Sequence, residues 1–345
     1  MRRVWSRAPR EHHVDSVEAV ARRSPVVGAG HPYDVAQWHE IDVGSPQAVA
    51  DLVSVFRSAD AVVALAWLLQ PNRQPGLLHQ TNVSGNRNII AAARDAGVPH
   101  LVYASSLGTY APHPEPDVPV DERWPATGVP GSLYSQQKAA VEAMLDATDA
   151  RGMTITRMRP ALVFQRAAAS EIARYFIGPL APLSLLRWRR VPVGPFPAVL
   201  RFQCVHADDV AAAVLAALRR RVGGAFNLAA GPVLTGPLVA ETLRGRHVDA
   251  SLRLLAEAAD LTWKVHLQPT SPGWLRMGLA VPLMDSRRAA EELDWAPTHD
   301  TSACRRPTTG STAGYSPSSP TSASDHRSPA RLWCQAGTRT PREAL

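Results

Sequence analysis

Apolar positions along this chain fall into short runs separated by amphipathic stretches. VDSVEAVARR reads as a strand ending at Arg22 and Arg23, and WHEIDV (38–43) as a second strand. SPQAVADLVSVFRSA spaces its apolar residues at helical period behind Ser45, which predicts a helix capped by that serine. DAVVALAW (60–67) is continuously apolar, the character of a parallel strand covered on both faces. A long helix is predicted from about Leu77 to Ala96, and it leads to LVYASS (101–106), a β-branched and aromatic strand ending in two hydroxyls. After a loop rich in proline and charge, a helix begins at Tyr134 and runs on through AAVEAMLDATDA.

MTITRMRPALVF (153–164) is the next strand, and 167–200 mixes a helix with Pro, Gly and Arg loops. RFQCVHADDVAAAVLAALRR (201–220) reads as a strand entering a helix, with Asp208 or Asp209 as the cap. GAFNLAAG (224–231) is a short strand and MDSRRAAEELDWAP (284–297) a capped helix. Alternating strands and helices predict an α/β fold with a right-handed, doubly wound parallel sheet. Such a sheet binds its ligand at the carboxyl ends of the strands, where Asp42, Ala64 to Trp67 and Ser106 fall.

These elements divide the chain into an irregular start (1–13), a sheet-forming domain (14–166) and a mixed region (167–297) that completes the sheet and forms a smaller lobe. From 298 to 345 Ser, Thr, Pro and Arg dominate without period, and such a segment cannot bury enough apolar surface to offset its ordering entropy. It is expected to be a disordered tail.

Composition narrows the function classes. With 45% hydrophobic and 19% charged residues the chain reads as a soluble globular protein. AVVALAWLL (61–69) falls far short of the roughly 20 apolar residues that span a bilayer, and no apolar leader opens the chain, so no membrane partner is expected. Cys204, Cys304 and Cys334 lack metal-ligand spacing and are too few for a disulfide framework, which points to a reducing cytoplasm. A net charge of +7 raises the question of nucleic acid, but the arginines are scattered and form no stripe. His206 beside Asp208 and Asp209 brings no completing ligand set in the sequence, so no metal is expected.

The candidate chemistry lies between Leu101 and Lys138. Tyr134 and Lys138 stand four apart and share a helix face. A nearby ammonium favours phenolate and would pull the phenol pKa down from about 10. That makes Tyr134 a general acid/base tuned by Lys138, with Ser106 holding a substrate oxygen against the phenol. Together they suggest proton transfer to or from a carbinol or carbonyl oxygen. The pairing is not routine here, because only Lys138 and Lys264 are lysines among 37 basic residues. Arginine, wide and planar, is not a substitute for a compact ammonium. The competing reading is an exposed helix with an incidental lysine and a half-buried tyrosine.

At Ser106, Tyr134 and Lys138 the chain resembles the extended short-chain dehydrogenase/reductases, the NAD-dependent epimerase/dehydratase group, over roughly Asp15 to Pro297. The resemblance implies a Rossmann-like NAD(P)-binding domain over 14–166 and a substrate lobe within 167–297. It implies that Tyr134 exchanges a proton with a substrate hydroxyl while a nicotinamide exchanges hydride, and that Lys138 also holds the nicotinamide ribose. Asp42 would accept from the adenine amino group, and Ala64, Leu65 and Ala66 would pass beneath the cofactor. Trp67 departs from the family's small residue and would narrow the substrate side. Asn82, in TNVSGNRN, matches a residue that kinks its helix and holds water near the site. Arg159 and Pro160 match an Arg-Pro pair whose following backbone lines the nicotinamide. Asn227 to Gly231 and the Trp295 turn match as well, with Asp294 in place of a glycine. Taken without the resemblance, Asp42 is equally a strand-end cap and Asn82 a satisfied polar group.

Arg22 and Arg23 follow the strand whose end meets the adenosine ribose in a dinucleotide fold. An acid there binds a 2′-hydroxyl and arginine a 2′-phosphate, so two arginines favour NADP; a solvated strand end is the other reading. The expected function is an NAD(P)-dependent epimerase/dehydratase or oxidoreductase. The alternative is a catalytically inactive nucleotide-sensing or scaffold protein of the same fold. Expected partners are a small-molecule substrate and a second copy in a homodimer, with no nucleic acid.

The family places a strand, a GxxGxxG turn and a helix before VDSVEAVARR, and residues 1–13 show none of them. Gly28 to Gly30 (GAG) lies after the ARR segment and before HPYD, so it does not sit between strand and helix as a phosphate turn must. Loss of a central first strand would leave unpaired edges on both neighbours. We therefore expect that Met1 is not the native start, or that the upstream frame is broken, with a similar origin for the tail. The chain as written is then expected to bind NAD(P) poorly and to be marginally stable.

Overall fold

Parallel strands carry the site. The structure is a computed structural model that describes residues 14–299 except 27, 29, 31, 32, 71, 116, 151, 166–192, 243, 244 and 250. The irregular start, most of the helix-and-loop segment expected at 167–200 and the tail from 300 onward lie outside the described residues.

In chain order the first half runs β1 (Glu18–Ala21), β2 (Gln37–Glu40), α1 (Ala48–Phe56), β3 (Val62–Ala64), α2 (Pro75–His79), α3 (Gly85–Asp95), β4 (His100–Ala104), α4 (Leu133–Asp146) and β5 (Thr154–Pro160). Then come β6 (Leu162–Phe164), β7 (Val193–Phe196), β8 (Arg201–His206), α5 (Ala207–Arg220), β9 (Gly224–Leu228), β10 (Ala230–Thr235), α6 (Gly236–Thr242), β11 (Arg246–Asp249), α7 (Leu252–Lys264), α8 (Gly273–Ala280) and α9 (Arg287–Leu293).

The main sheet is four-stranded, ordered β3-β4-β5-β9, and every pair in it is parallel, with Val63 opposite Val102 and Met158 opposite Phe226. One face buries Leu52, Ile89 and Val141 from α1, α3 and α4; the other buries Val214 and Leu293 from α5 and α9. Helices on both faces of a parallel sheet are the doubly wound arrangement expected from the alternation. β1 and β2 pair in parallel as a separate two-stranded sheet. Among the described residues no strand bridges it to β3, although Val20 and Ile41 pack into the same core as β3 and β4.

Several expected elements change shape for local reasons. The run 153–164 divides at Pro160, which has no N–H for a ladder. β5 stays in the main sheet, and β6 crosses to pair with β8 in a three-stranded sheet with antiparallel β10. The helix expected from Leu77 to Ala96 contains a π turn at Gln80–Ser84 between α2 and α3. The chain after β2 passes tightly under it: a Cβ on Gly85 would stand 2.8 Å from Val43, and one on Gly44 2.9 Å from the Gln80 carbonyl.

Capping is also corrected in two places. Gln47, not Ser45, occupies the N-cap of α1, and Ser45, two residues earlier, accepts the Gln47 N–H at 3.3 Å. His206 caps α5 by accepting the Asp208 N–H at 3.2 Å, which releases Asp209 to the core. There Asp209 accepts from the Thr298 hydroxyl at 2.6 Å and from the His299 N–H at 3.1 Å. Asp294 ends α9 in the left-handed region at φ 54°, the conformation that glycine adopts without strain. Among the described residues no helix is long and apolar enough to cross a membrane.

Candidate active site

Two local devices set the catalytic-type side chains. The Ser106 hydroxyl turns back on its own loop at the end of β4 and accepts the Gly108 N–H at 3.0 Å. Ser132 caps α4 from extended backbone, so Tyr134 falls in the first helical turn. Ser135 ties the two together: its hydroxyl accepts the Val129 N–H at 2.6 Å and donates to the Gly108 carbonyl. The result places Ser106 within hydrogen-bonding range of the Tyr134 phenol.

Tyr134 sits in an aromatic setting. The Trp274 indole of α8 lies over it with centroids 4.7 Å apart and planes 33° apart, and Trp67 meets it edge-on at 5.8 Å. Gly108 is the floor, since a Cβ there would come 2.9 Å from the tyrosine ring. Neither Gly108 nor Trp274 carries a signal in the sequence, because both act through long-range contact.

Lys138 is buried, and its ammonium makes its contacts with groups other than the phenol. Its ammonium donates to the Ala104 carbonyl at 2.7 Å and to the Tyr103 hydroxyl at 3.4 Å, and it lies 3.6 Å from the centre of the Trp67 ring. Burial lowers its pKa to about 7, with Glu142 opposing the shift. The phenol moves the other way from expectation: burial pushes Tyr134 up to about 12, and only the Ser106 hydrogen bond works against it. Spacing on a helix gave the right face, but the side-chain directions give the lysine other partners.

The buried lysine has a measurable consequence. Its folded pKa of about 7 lies below the ordinary lysine value of 10.5, so the unfolded chain binds more protons between those values. Lys138 therefore costs stability in full below about pH 7, and the cost disappears above pH 10.5. Lys138→Met is expected to raise the melting temperature at pH 6 to 7, the gain shrinking toward zero as pH rises past 10; paired thermal melts across that range check it.

The remaining expected positions fall in two groups. Ala64 ends β3, Leu65 and Ala66 follow it directly before Trp67, and Pro160 closes β5, so both groups stand with Ser106 at the carboxyl ends of adjacent strands. Asn82 lies inside the π turn, fully buried and fully satisfied. It accepts from the Leu68 N–H at 2.7 Å and donates to the Leu68 carbonyl at 2.9 Å and to Gln137 Oε1 at 2.9 Å. It thus fixes the loop after β3 against α4. Arg22, Arg23 and Asp42 stand apart at the ends of β1 and β2, all exposed. Asp42 accepts from the Gly44 N–H at 2.9 Å as a turn cap. Glu40 reaches the same loop and accepts from the Ser24 N–H at 2.9 Å, an acid beside the arginines that the sequence does not reveal.

Behind the site lies a buried ionic network. Glu142, one turn after Lys138, accepts from Arg159 at 2.9 and 2.7 Å, from Arg157 at 3.4 Å and from the Ser105 hydroxyl at 2.5 Å. Arg159 also donates to the Tyr110 hydroxyl at 3.0 Å, which donates to Asn227 at 2.6 Å. The chain thereby fastens the end of β4 to α4 and β5. At another place His206, Asp208 and His299 offer ligand atoms within 4.8 Å of one another, His299 being the third group missing from the sequence reading. The two imidazoles stack with centroids 4.1 Å apart and planes 25° apart. Near-parallel rings do not aim their lone pairs at one point, and this arrangement carries no metal assignment.

The sequence profile described as the NAD dependent epimerase/dehydratase family matches residues 3–229, well over half of the chain. The chain belongs to that family. The family match begins before Asp15 and stops short of Pro297, so it extends earlier and ends earlier than the resemblance suggested. Sterol-4-alpha-carboxylate 3-dehydrogenase (decarboxylating) of Saccharomyces cerevisiae is 32% identical over 133 residues, 38% of this chain. That stretch spans only 37% of the yeast enzyme's length.

Solved structures share this fold over most of the chain. UDP-glucose 4-epimerase of Thermotoga maritima, solved with UDP-glucose, is similar with a TM-score of 0.60 at 17% identity, covering 86% of this chain and 90% of that one. The dTDP-glucose 4,6-dehydratase DesIV of Streptomyces venezuelae, a double mutant solved with NAD bound, has a TM-score of 0.55 at 18% identity, covering 78% and 77%.

Proposed function

We propose that this family member is an NAD(P)-dependent oxidoreductase of the epimerase/dehydratase type, in which Tyr134 exchanges a proton with a substrate carbinol or carbonyl oxygen. The observation that supports it is the convergence of the Ser106 hydroxyl and the Tyr134 phenol where β4 ends, one helical turn from a buried lysine.

The donor set fits the nicotinamide side of such a cofactor. Lys138, Tyr134, the backbone of Ala64, Leu65 and Ala66, and the turn after Pro160 would hold it, and Asp42 would meet its adenine. When bound, the nicotinamide supplies or accepts the hydride at the substrate carbon. On the pyrophosphate side the fit is weaker. Gly28 and Gly30 have positive φ but lead only into the three-residue 3-10 turn Tyr33–Val35, so they offer no helix N-terminus.

The protein's own part is to hold and move a proton. At neutral pH the phenol is protonated, so it acts first as a donor to a carbonyl oxygen. Ser106 can donate to the same oxygen and fix its distance from the phenol. Lys138, beside the site, is about half charged near pH 7 and would stabilise the phenolate left behind once it turns from the Ala104 carbonyl.

Cofactor choice is the test of this reading. Arg22 and Arg23 supply cations for a 2′-phosphate, with Glu40 nearby to oppose them. NADPH is expected to bind more tightly than NADH, and Arg22→Ala with Arg23→Ala to erase the difference. Titration of the full chain with both cofactors measures it. Equal affinities dispose of the NADP preference, and no binding of either disposes of the catalytic reading. One observation favours a second reading, a nucleotide-sensing or scaffold protein: the Trp67 ring already covers the Lys138 ammonium.

A further inference from the structure

Around the phenol the walls are apolar. Leu68, Leu69, Leu78, Leu133 and Trp274 line a recess that reaches Tyr134, and among the described residues no charged side chain lines it. Its polar lining is largely spent. Asn72 donates to the Leu69 carbonyl and accepts from Trp274, and Asn82 is saturated. The exception is Gln137. Its Oε1 is taken by Asn82, while its Nε2 is buried without a partner, in a residue only 4% exposed. A buried amide donor without an acceptor is costly, and its natural remedy is a ligand oxygen.

Trp274 shows what shape of group suits the place. Its flat indole lies on the Tyr134 ring, and the recess left over has room for about one water molecule. A substrate that reaches the phenol must therefore displace Trp274 and take over its contact with tyrosine and leucine. A sugar ring does this badly, because each hydroxyl it buries needs a partner, and beyond Tyr134 the described walls offer one unpartnered donor, Gln137 Nε2.

We infer that the substrate moiety seated against Tyr134 is an uncharged, largely apolar carbocyclic alcohol or ketone, with a second oxygen acceptor for Gln137 Nε2. This rests on the proposed Tyr134 chemistry and adds the substrate class to it. Gln137 is the specificity-determining residue, and the apolar wall of leucines and Trp274 selects the skeleton.

Tryptophan fluorescence of the full chain, titrated with 2-decalol and with androsterone, and in parallel with UDP-glucose, tests the inference. Both uncharged probes are expected to give a saturable change, androsterone at lower concentration because its ketone adds the second acceptor. Trp274→Phe is expected to remove most of the signal. Gln137→Leu is expected to weaken androsterone about tenfold and 2-decalol hardly at all, with Gln137→Met as the second variant should the first fail to fold. The inference is overturned if UDP-glucose binds and the two probes do not, if neither class binds a cooperatively melting chain, or if androsterone is indifferent to both Gln137 variants. Turnover separates the two claims. Sugar-nucleotide turnover without probe binding sinks the substrate class and keeps the Tyr134 chemistry. Gln137-dependent probe binding without any change in nicotinamide absorbance keeps the substrate class and sinks the chemistry.

Discussion

Tyr134→Phe is expected to lower NAD(P)-dependent turnover by about 10²–10⁴, the usual cost of removing a general acid/base. The ring stays, so its contacts with Trp67, Trp274 and Gly108 stay too, and only the hydroxyl that meets Ser106 is lost. Fold and cofactor affinity should therefore remain near those of the parent. Such a split identifies proton transfer rather than packing as the function of the residue. Tyr134→Ala would not distinguish them, because it also empties the space between two indoles. The pH profile adds a second readout. A phenol held protonated up to about 12 favours the reducing direction across the neutral range. The oxidising direction should rise with pH. Turnover by Tyr134→Phe equal to the parent in both directions, on any substrate, would sink the assignment.

The parts of this protein that were legible in the sequence are those encoded over short distances. A tyrosine and lysine on one helix face, a strand ending in serines and the continuous apolar runs of a parallel sheet all depend on neighbours within a few residues. The pKa direction of Tyr134 was not legible, since it depends first on how deeply the phenol is buried and then on whether the Lys138 ammonium turns toward it. The Ala104 carbonyl and the Trp67 ring decide that, and both are more than 30 residues away along the chain. The same reason hides Gly108, whose missing Cβ makes room for Tyr134, and Gln137, whose donor is orphaned only because Asn82 occupies its oxygen. Helix caps failed for a related cause. Asp208 and Asp209 both have cap chemistry, but His206 is already in extended backbone at the helix start, and Asp209 is used to hold Thr298 and His299.

The Glu142 network carries the largest expected effect on stability. Its carboxylate is 1% exposed and stands against two guanidiniums, of which Arg159 is itself buried. Burial alone would raise the Glu142 pKa, but hydrogen bonds and charge from Arg159, then Ser105 and Arg157, hold it below the ordinary carboxylate range. Glu142→Ala removes the anion and leaves the Arg159 charge buried, with only Tyr110 and the Glu122 carbonyl for partners. Breaking one side of a buried pair costs about 3–5 kcal/mol, a large part of the roughly 5–15 kcal/mol that holds a domain together. Glu142→Gln keeps an acceptor in place and should lose less. Denaturant melts of the three proteins measure the order, parent above Gln above Ala. Linkage supplies a further check. The folded carboxyl titrates below the ordinary value of 4.5, so its stabilisation is present above that pH and is lost as pH falls through the folded pKa. Glu142→Gln should remove that part of the acid dependence and, by taking away the anion that opposes the Lys138 shift, push the Lys138 pKa lower still and extend its slope to lower pH. A parent and a Glu142→Gln protein that lose stability in parallel below pH 4.5 would show that the carboxylate is not held by its arginines.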